Sequence, residues 1–210
     1  MEQQFTTILD LLGTFAFAIS GIRLAAGKNL DWFGAYVIGL VTAIGGGTVR
    51  DLLLDVTPFW MLDPKYLLVT GVALVATILF RQKIFNLGGP LFLFDAIGLG
   101  LFTVVGITKS HLMGLPFWVC IAMGTITGSV GGVIRDVLLN QVPLLFRKDI
   151  YALACVAGGI IYFAGNSIGL SAGVTGSVAA LAIIVIRLIA VKFHIHLPVL
   201  DREPKNNEGS

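Results

Sequence analysis

Residues 43–54 read AIGGGTVRDLLL. Three consecutive glycines and an adjacent Arg50-Asp51 pair stand in the middle of a long apolar run, where each carries a penalty. Glycine costs roughly 1 kcal/mol against alanine inside a helix, and a charge at mid-membrane depth costs at least about 2.5 kcal/mol. The device recurs downstream as TGSVGGVIRD, residues 127–136. Sliding the chain on itself by 85 residues, without a gap, lays Gly46, Gly47, Arg50 and Asp51 on Gly131, Gly132, Arg135 and Asp136. The same offset lays Asp10 on Asp95, Gly13 on Gly98, Thr42 on Thr127, Pro58 on Pro143 and Tyr66 on Tyr151. Apolar helices match leucines and glycines by chance; they do not readily match Asp, Arg and Pro in register.

The surroundings of both copies are those of a lipid-embedded chain. Apolar residues make up 56% of the sequence and charged residues 12%, against about 25% charged in soluble domains, and the mean hydropathy is +0.92. Seven apolar segments stand out, at 5–22, 32–56, 66–80, 91–108, 115–139, 151–164 and 168–191. The third and sixth are short of the ~20 residues a bilayer core needs. The fold class expected is an all-α membrane protein with seven transmembrane helices. Its units are a three-helix repeat over 5–80, a second over 90–165, a seventh helix over 168–192, and a disordered cytoplasmic tail over 198–210. Because three is odd, the second copy enters the membrane the opposite way round, which makes an inverted 3+3 repeat plus one helix.

Basic residues gather at alternate ends of the segments. Arg23 and Lys28 follow the first, Arg81 and Lys83 the third, Arg147 and Lys148 the fifth, and Lys192, Arg202 and Lys205 the seventh; the opposite loops hold Lys65 and Lys109. The positive-inside rule then sets the N-terminus outside and the C-terminus in the cytoplasm. MEQQF has no lysine or arginine ahead of the first apolar run, so that run reads as a retained span rather than a secretory signal.

A helix interrupted at Gly45, Gly46 and Gly47, or at Gly128, Gly131 and Gly132, would free main-chain carbonyls. Such carbonyls survive at membrane depth only beside protein or a wet cavity, where they are ligands for a monovalent cation. That reading places a cation near Gly45, Gly46 and Gly47, with Thr42, Thr127 and Ser129 as polar lining. The alternative is that the glycines merely let two helices touch. Arg50 and Asp51 point about 100° apart on a helix, so each is expected to seek another partner. Asp10 and Arg50 lie at similar depths, roughly 7 and 9 Å in from their helix ends, which predicts an Asp10 to Arg50 ion pair at the outer mouth and an Asp95 to Arg135 pair at the cytoplasmic mouth. Asp51 and Asp136 are then left to face an aqueous path or to cap broken helix ends. The alternative is that all six charges are packed salt bridges that lock the helices together.

Other features bound the function. No Ser/His/Asp set, H-E-x-x-H or phosphate-binding loop is present, so an enzyme is not expected, and no cofactor beyond a transported K+ or Na+. Nothing suggests nucleic acid as a partner. Cys120 and Cys155 read as small hydrophobes. Lys109 and His111 read as a solvated outer loop, with a basic gate over the outer mouth as the alternative.

In its doubled G-G-x-x-R-D, residues 46–51 and 131–136, and in its three plus three plus one plan, the chain resembles the trimeric intracellular cation channel family in its prokaryotic form. The domain of that family also carries a glycine-transporter-like label. The resemblance implies a homotrimer in lipid, in the bacterial inner membrane, with one pore per subunit. It implies that the kinked second and fifth spans line that pore and that it conducts K+ and, less selectively, Na+. One departure is that the second copy reads GSVGG where the first reads AIGGG, which displaces the first glycine of its break to Gly128. Inverted repeats are also common in secondary transporters, so a transporter of a small amino acid such as glycine is the alternative function.

Overall fold

The computed structural model describes residues 2–80, 90–147 and 149–198. Arg81, Lys83, Lys148, Arg202, Lys205 and the tail from residue 199 lie outside the described residues. Among the described residues there are eight α-helices and a 3-10 turn, with no sheet. The first repeat supplies α1 (Glu2–Ala26), α2 (Trp32–Leu53), the single turn α3 (Phe59–Leu62) and α4 (Lys65–Leu79). The second supplies α5 (Pro90–Leu112), α6 (Phe117–Leu138), the 3-10 turn Leu144–Phe146 and α7 (Ala152–Ser167); α8 (Ala172–Lys192) follows.

Local chemistry sets these boundaries. The Asp31 carboxylate accepts the Gly34 N–H at 2.7 Å and starts α2, and Ser171 caps α8 in the same way. After α2 and α6 the chain passes through left-handed residues, Asp55 at φ 55° and Asn140 at φ 52°, types that tolerate that conformation. These two positions are 85 residues apart, as are α3 and the 3-10 turn.

Five helices, from α1, α2, α5, α6 and α8, are long and apolar enough to cross a membrane; α4 and α7 are shorter, at 15 and 16 residues. Their outward faces carry exposed Val72, Val75, Leu79, Ile160 and Leu181. Exposed Trp32 and Phe33 begin α2, and Phe117 and Trp118 begin α6, as an aromatic belt would.

At the centre, helices cross in pairs. Gly13 packs on the Phe102 ring and Gly98 on the Phe17 ring, so α1 and α5 run antiparallel, with the two rings 5.4 Å apart. Gly39 packs on Ile22 and Gly124 on Ile107, joining α1 to α2 and α5 to α6 by equivalent contacts. Around this frame lies a core of Phe17, Ile22, Leu99, Phe102, Tyr151 and Ile183.

Candidate functional site

The glycine-rich stretches meet where α2 and α6 cross. A methyl group at Gly46 would overlap the Thr127 carbonyl oxygen, and one at Gly131 would overlap that of Thr42. Both helices are unbroken through these residues. The expected interruption is therefore corrected: the glycines free no carbonyls for a cation near Gly45, Gly46 and Gly47, and instead bring two intact backbones into contact, as small residues do in lipid. The neighbours serve other contacts. Gly45 faces Ile134 and the backbone of Gly131, Gly47 the Phe59 ring, and Gly128 the Thr103 hydroxyl and Leu99 carbonyl of α5. Two cavities, of about 380 and 650 Å³, open on the flank of α1, α2 and α4, away from this seam.

The hydroxyls beside the seam are satisfied within their own helices. Thr42 and Thr127 donate to the carbonyls of Ile38 and Met123, both at 2.6 Å, and Ser129 to that of Thr125 at 2.6 Å. Each keeps acceptor capacity on its oxygen. All three are buried.

Four residues beyond each seam glycine, about 6 Å along the helix, stands an arginine. Because α2 and α6 are antiparallel, Arg50 and Arg135 lie on opposite sides of the crossing. Each donates from Nε to Oδ1 of the next residue, Arg50 to Asp51 and Arg135 to Asp136, both at 2.8 Å. The expectation that sequence neighbours cannot pair is thus corrected: the aspartates sit in the last turn, and the arginine side chain folds forward along the helix. Nor are Asp51 and Asp136 left for water. Their Oδ2 atoms accept the N–H of Phe59 at 2.8 Å and of Leu144 at 3.0 Å, which starts α3 and the 3-10 turn.

The two copies then diverge. In the second, Arg135 Nη1 donates to Asp95 Oδ1 at 2.6 Å and to the Ser20 hydroxyl at 2.7 Å. In the first, the expected Asp10 to Arg50 pair is absent. Lys109, in the last turn of α5 rather than in a loop, lies 3.3 Å from Asp10 Oδ2. The Arg50 guanidinium lies over the Phe59 ring, 5.5 Å from its centroid, and both its Nη atoms lack a hydrogen-bond partner. The sequence supplies the reason. Phe59 corresponds to Leu144 and Ser20 to Val105, so the first copy gains a ring that holds the arginine and lacks the hydroxyl that would draw it across.

Sequence reasoning missed Arg187. It lies on α8, fully buried, between the rings of Phe92 (4.3 Å) and Tyr151 (4.6 Å), and donates from Nη1 to the Ile150 carbonyl at 2.6 Å. The signal was available: Arg187 is the single charge inside the seventh apolar segment. Gly132 opens beside this group; a Cβ there would lie 3.0 Å from the Tyr151 hydroxyl and 3.7 Å from Asp95 Oδ1.

A family model described as Glycine transporter matches the chain twice, over residues 7–82 and 92–167, the two matches being 85 residues apart. The chain belongs to this family. It is 42% identical over 196 residues to the UPF0126 inner membrane protein YadS of Escherichia coli K12, covering 90% of this chain and 93% of that one. Among solved structures it is similar to the trimeric intracellular cation channel orthologue from Rhodobacter sphaeroides, with a TM-score of 0.85 at 32% identity, covering 90% of this chain and 98% of that one. A prokaryotic TRIC channel crystallised in 0.5 M KCl gives a TM-score of 0.84 at 30% identity, covering 94% of this chain and all of that one. With its apolar helices and these relatives, the family member described here is a multi-pass membrane protein.

Proposed function

We propose that the protein is a monovalent cation channel that conducts K+ and, less selectively, Na+, with one ion path in each subunit of a homotrimer. The observation that carries this reading is the likeness, over nearly the whole of both chains, to the R. sphaeroides cation channel orthologue. The antiparallel crossings of α1 with α5 and of α2 with α6 support an inverted 3+3 repeat over 5–80 and 90–165, with α8 as the seventh span. The basic residues support an outer N-terminus in the bacterial inner membrane, which sets Asp10, Arg50 and Lys109 at the outer mouth and Asp95, Arg135 and Arg187 at the cytoplasmic mouth.

We assign the path to the α2 and α6 pair. Its narrowest level is the Gly46 and Gly131 seam, so conduction requires the helices to part there and turn the oxygens of Thr42, Thr127 and Ser129 toward the ion. Asp51 and Asp136 hold the helix ends and do not coordinate it. Single-channel recording of the purified protein in a planar bilayer tests the reading. Resolved current steps whose reversal potential follows the K+ gradient are expected; a silent bilayer from folded, correctly sized protein overturns it.

A second reading, a transporter of glycine, is favoured by the description of the matching family model. Saturable uptake of radiolabelled glycine into proteoliposomes, with no current steps, would establish it instead.

A further inference from the structure

One cavity of the first repeat has a counterpart in the second that the chain fills with its own rings. The cavity, of about 380 Å³, lies between the end of α1, the start of α2 and the end of α4, with Ala26, Trp32, Leu74, Thr77 and Ile78 in its wall. Advanced by 85 residues, these positions are His111, Phe117, Gly159, Tyr162 and Phe163. There the rings pack on one another. Phe163 meets His111, Phe117 and Tyr162 edge to face, with centroids 5.5, 6.2 and 5.4 Å away. The hydroxyl of the buried Tyr162 accepts a hydrogen bond from Thr108 at 3.4 Å.

The first copy keeps the walls and omits the filling. Alanine, threonine and isoleucine stand where the second copy has three rings, and the helices do not close over the loss. Gly159 lets α7 rest on Ile121 of α6, where a methyl group would come within 2.8 Å. Leu74, its equivalent, sets a whole side chain on α4 at this place and lines both cavities of that flank. The space that remains takes the place of rings, and Trp32 borders it from the position of Phe117. Aromatic groups gain most when they meet edge to face or offset, so a further ring is the group that this wall suits.

The rim is polar and basic. The Thr77 hydroxyl donates to the Ala73 carbonyl at 2.7 Å and keeps acceptor capacity on its oxygen. Asn29, left-handed at φ 56°, adds its amide to the wall, and Lys28 beside it is exposed. The nearby acid, Asp31, is held on the Gly34 N–H as the cap of α2. We propose that this cavity binds a small aromatic carboxylate. Its ring lies against Trp32, in the space that Tyr162 and Phe163 fill in the second copy, and its carboxylate lies at Lys28 and Asn29, where the charges are complementary. This inference is independent of the channel reading.

Trp32 reports on the cavity, and the chain has only two other tryptophans, Trp60 and Trp118. In a Trp60→Phe, Trp118→Phe background, the purified protein in detergent is titrated with 4-bromobenzoate, whose bromine quenches an indole on contact. Saturable quenching of Trp32 is expected. The ringless anion 6-bromohexanoate binds about five-fold more weakly. The uncharged 4-bromobenzyl alcohol binds about two-fold more weakly, and Lys28→Gln removes that difference. Thr77→Tyr combined with Ile78→Phe rebuilds the second copy's filling and abolishes saturation. Should that pair fail to fold, Ala26→Phe, at an exposed position of the same wall, decides in its place. Quenching that only rises in proportion to the quencher, or that still saturates in the filled variants, overturns the proposal. Saturable quenching by a brominated phosphatidylglycerol with none by 4-bromobenzoate makes the cavity a lipid site, and quenching by neither makes it a contact between subunits; each of these also overturns it.

Discussion

Gly46 rests against the carbonyl oxygen of Thr127, with no space for a methyl group between them, and Gly131 stands in the same relation to Thr42. The crossing is therefore fixed by main-chain contact, and its strength depends on the absence of a side chain. Gly46→Ala and Gly131→Ala each force intact helices apart, and overpacking of this kind costs about 1–3 kcal/mol. Both variants are expected to lower the thermal unfolding midpoint in detergent, followed by size-exclusion chromatography after heating. Gly71→Ala is the control: nothing lies within 4 Å of a Cβ there, so its midpoint stays at or slightly above that of the wild type. Equal midpoints for Gly46→Ala and Gly71→Ala would show that the seam is loose.

Asp51 and Asp136 each accept an arginine Nε–H with one oxygen and the N–H that begins the next helical turn with the other. Neutralising Asp51 leaves the buried Arg50 without its carboxylate partner, whereas Arg135 keeps Asp95 when Asp136 is neutralised; either change weakens a cap in the same step. Breaking one partner of a buried pair costs about 3–5 kcal/mol. Asp51→Asn is thus expected to reduce sharply the yield of folded protein recovered from membranes, and Asp136→Asn to reduce it less, since Arg135 keeps Asp95. Normal yield combined with reduced ion flux would instead return these carboxylates to the ion path.

Ser20, in the first repeat, accepts a hydrogen bond from Arg135 at 2.7 Å, across 115 residues of sequence. Because Arg135 Nη1 also donates to Asp95, Ser20→Ala removes one acceptor of two. The expected loss is about 1 kcal/mol, visible as a small drop in the unfolding midpoint, and Ser20→Thr retains most of it. The reciprocal Val105→Ala leaves the midpoint changed only by the lost methyl groups.

The fold was legible because its repeat is written in residues that lipid-facing helices do not place by chance. Asp10 on Asp95 and Pro58 on Pro143 gave the register, and the contacts of Gly13, Gly39 and Gly46 recur at Gly98, Gly124 and Gly131. The site was legible only in part. Which residues gather at each end followed from depth along a helix, and Arg135 meets Asp95 as depth alone predicts. Depth says nothing about competitors, so Lys109 reaching Asp10 and Phe59 holding Arg50 were invisible until α5 and α3 were in place. The glycines were misread for a related reason. A run of three marks both a broken helix and a close crossing, and only the partner helix distinguishes them. Arg187 was passed over because it lies on the helix outside the repeat, where no match in register singles it out.

Part of the asymmetry between the copies traces to two side chains and can be tested by exchanging them. At the first cluster the ring of Phe59 sits under both Arg50 and Lys109, 5.5 and 5.2 Å from their cationic centres, where the second copy has Leu144. Attraction of a cation to a ring face is worth about 0.5–2 kcal/mol, enough to decide where a guanidinium with two unpartnered Nη atoms settles. Phe59→Leu combined with Val105→Ser recreates the second copy's surroundings around Arg50. Arg50 is then expected to swing onto Asp10 and the new hydroxyl, releasing Lys109 from a contact worth about 0.5 kcal/mol. Lys109 is already partly exposed, so its release is measurable as an about two-fold faster reaction with a water-soluble amine reagent, read by mass spectrometry of the peptide that carries it. An unchanged rate, with Asp10 still held by Lys109 in a structure of the double variant, would mean that the position of Lys109 is set by α5 itself rather than by the ring.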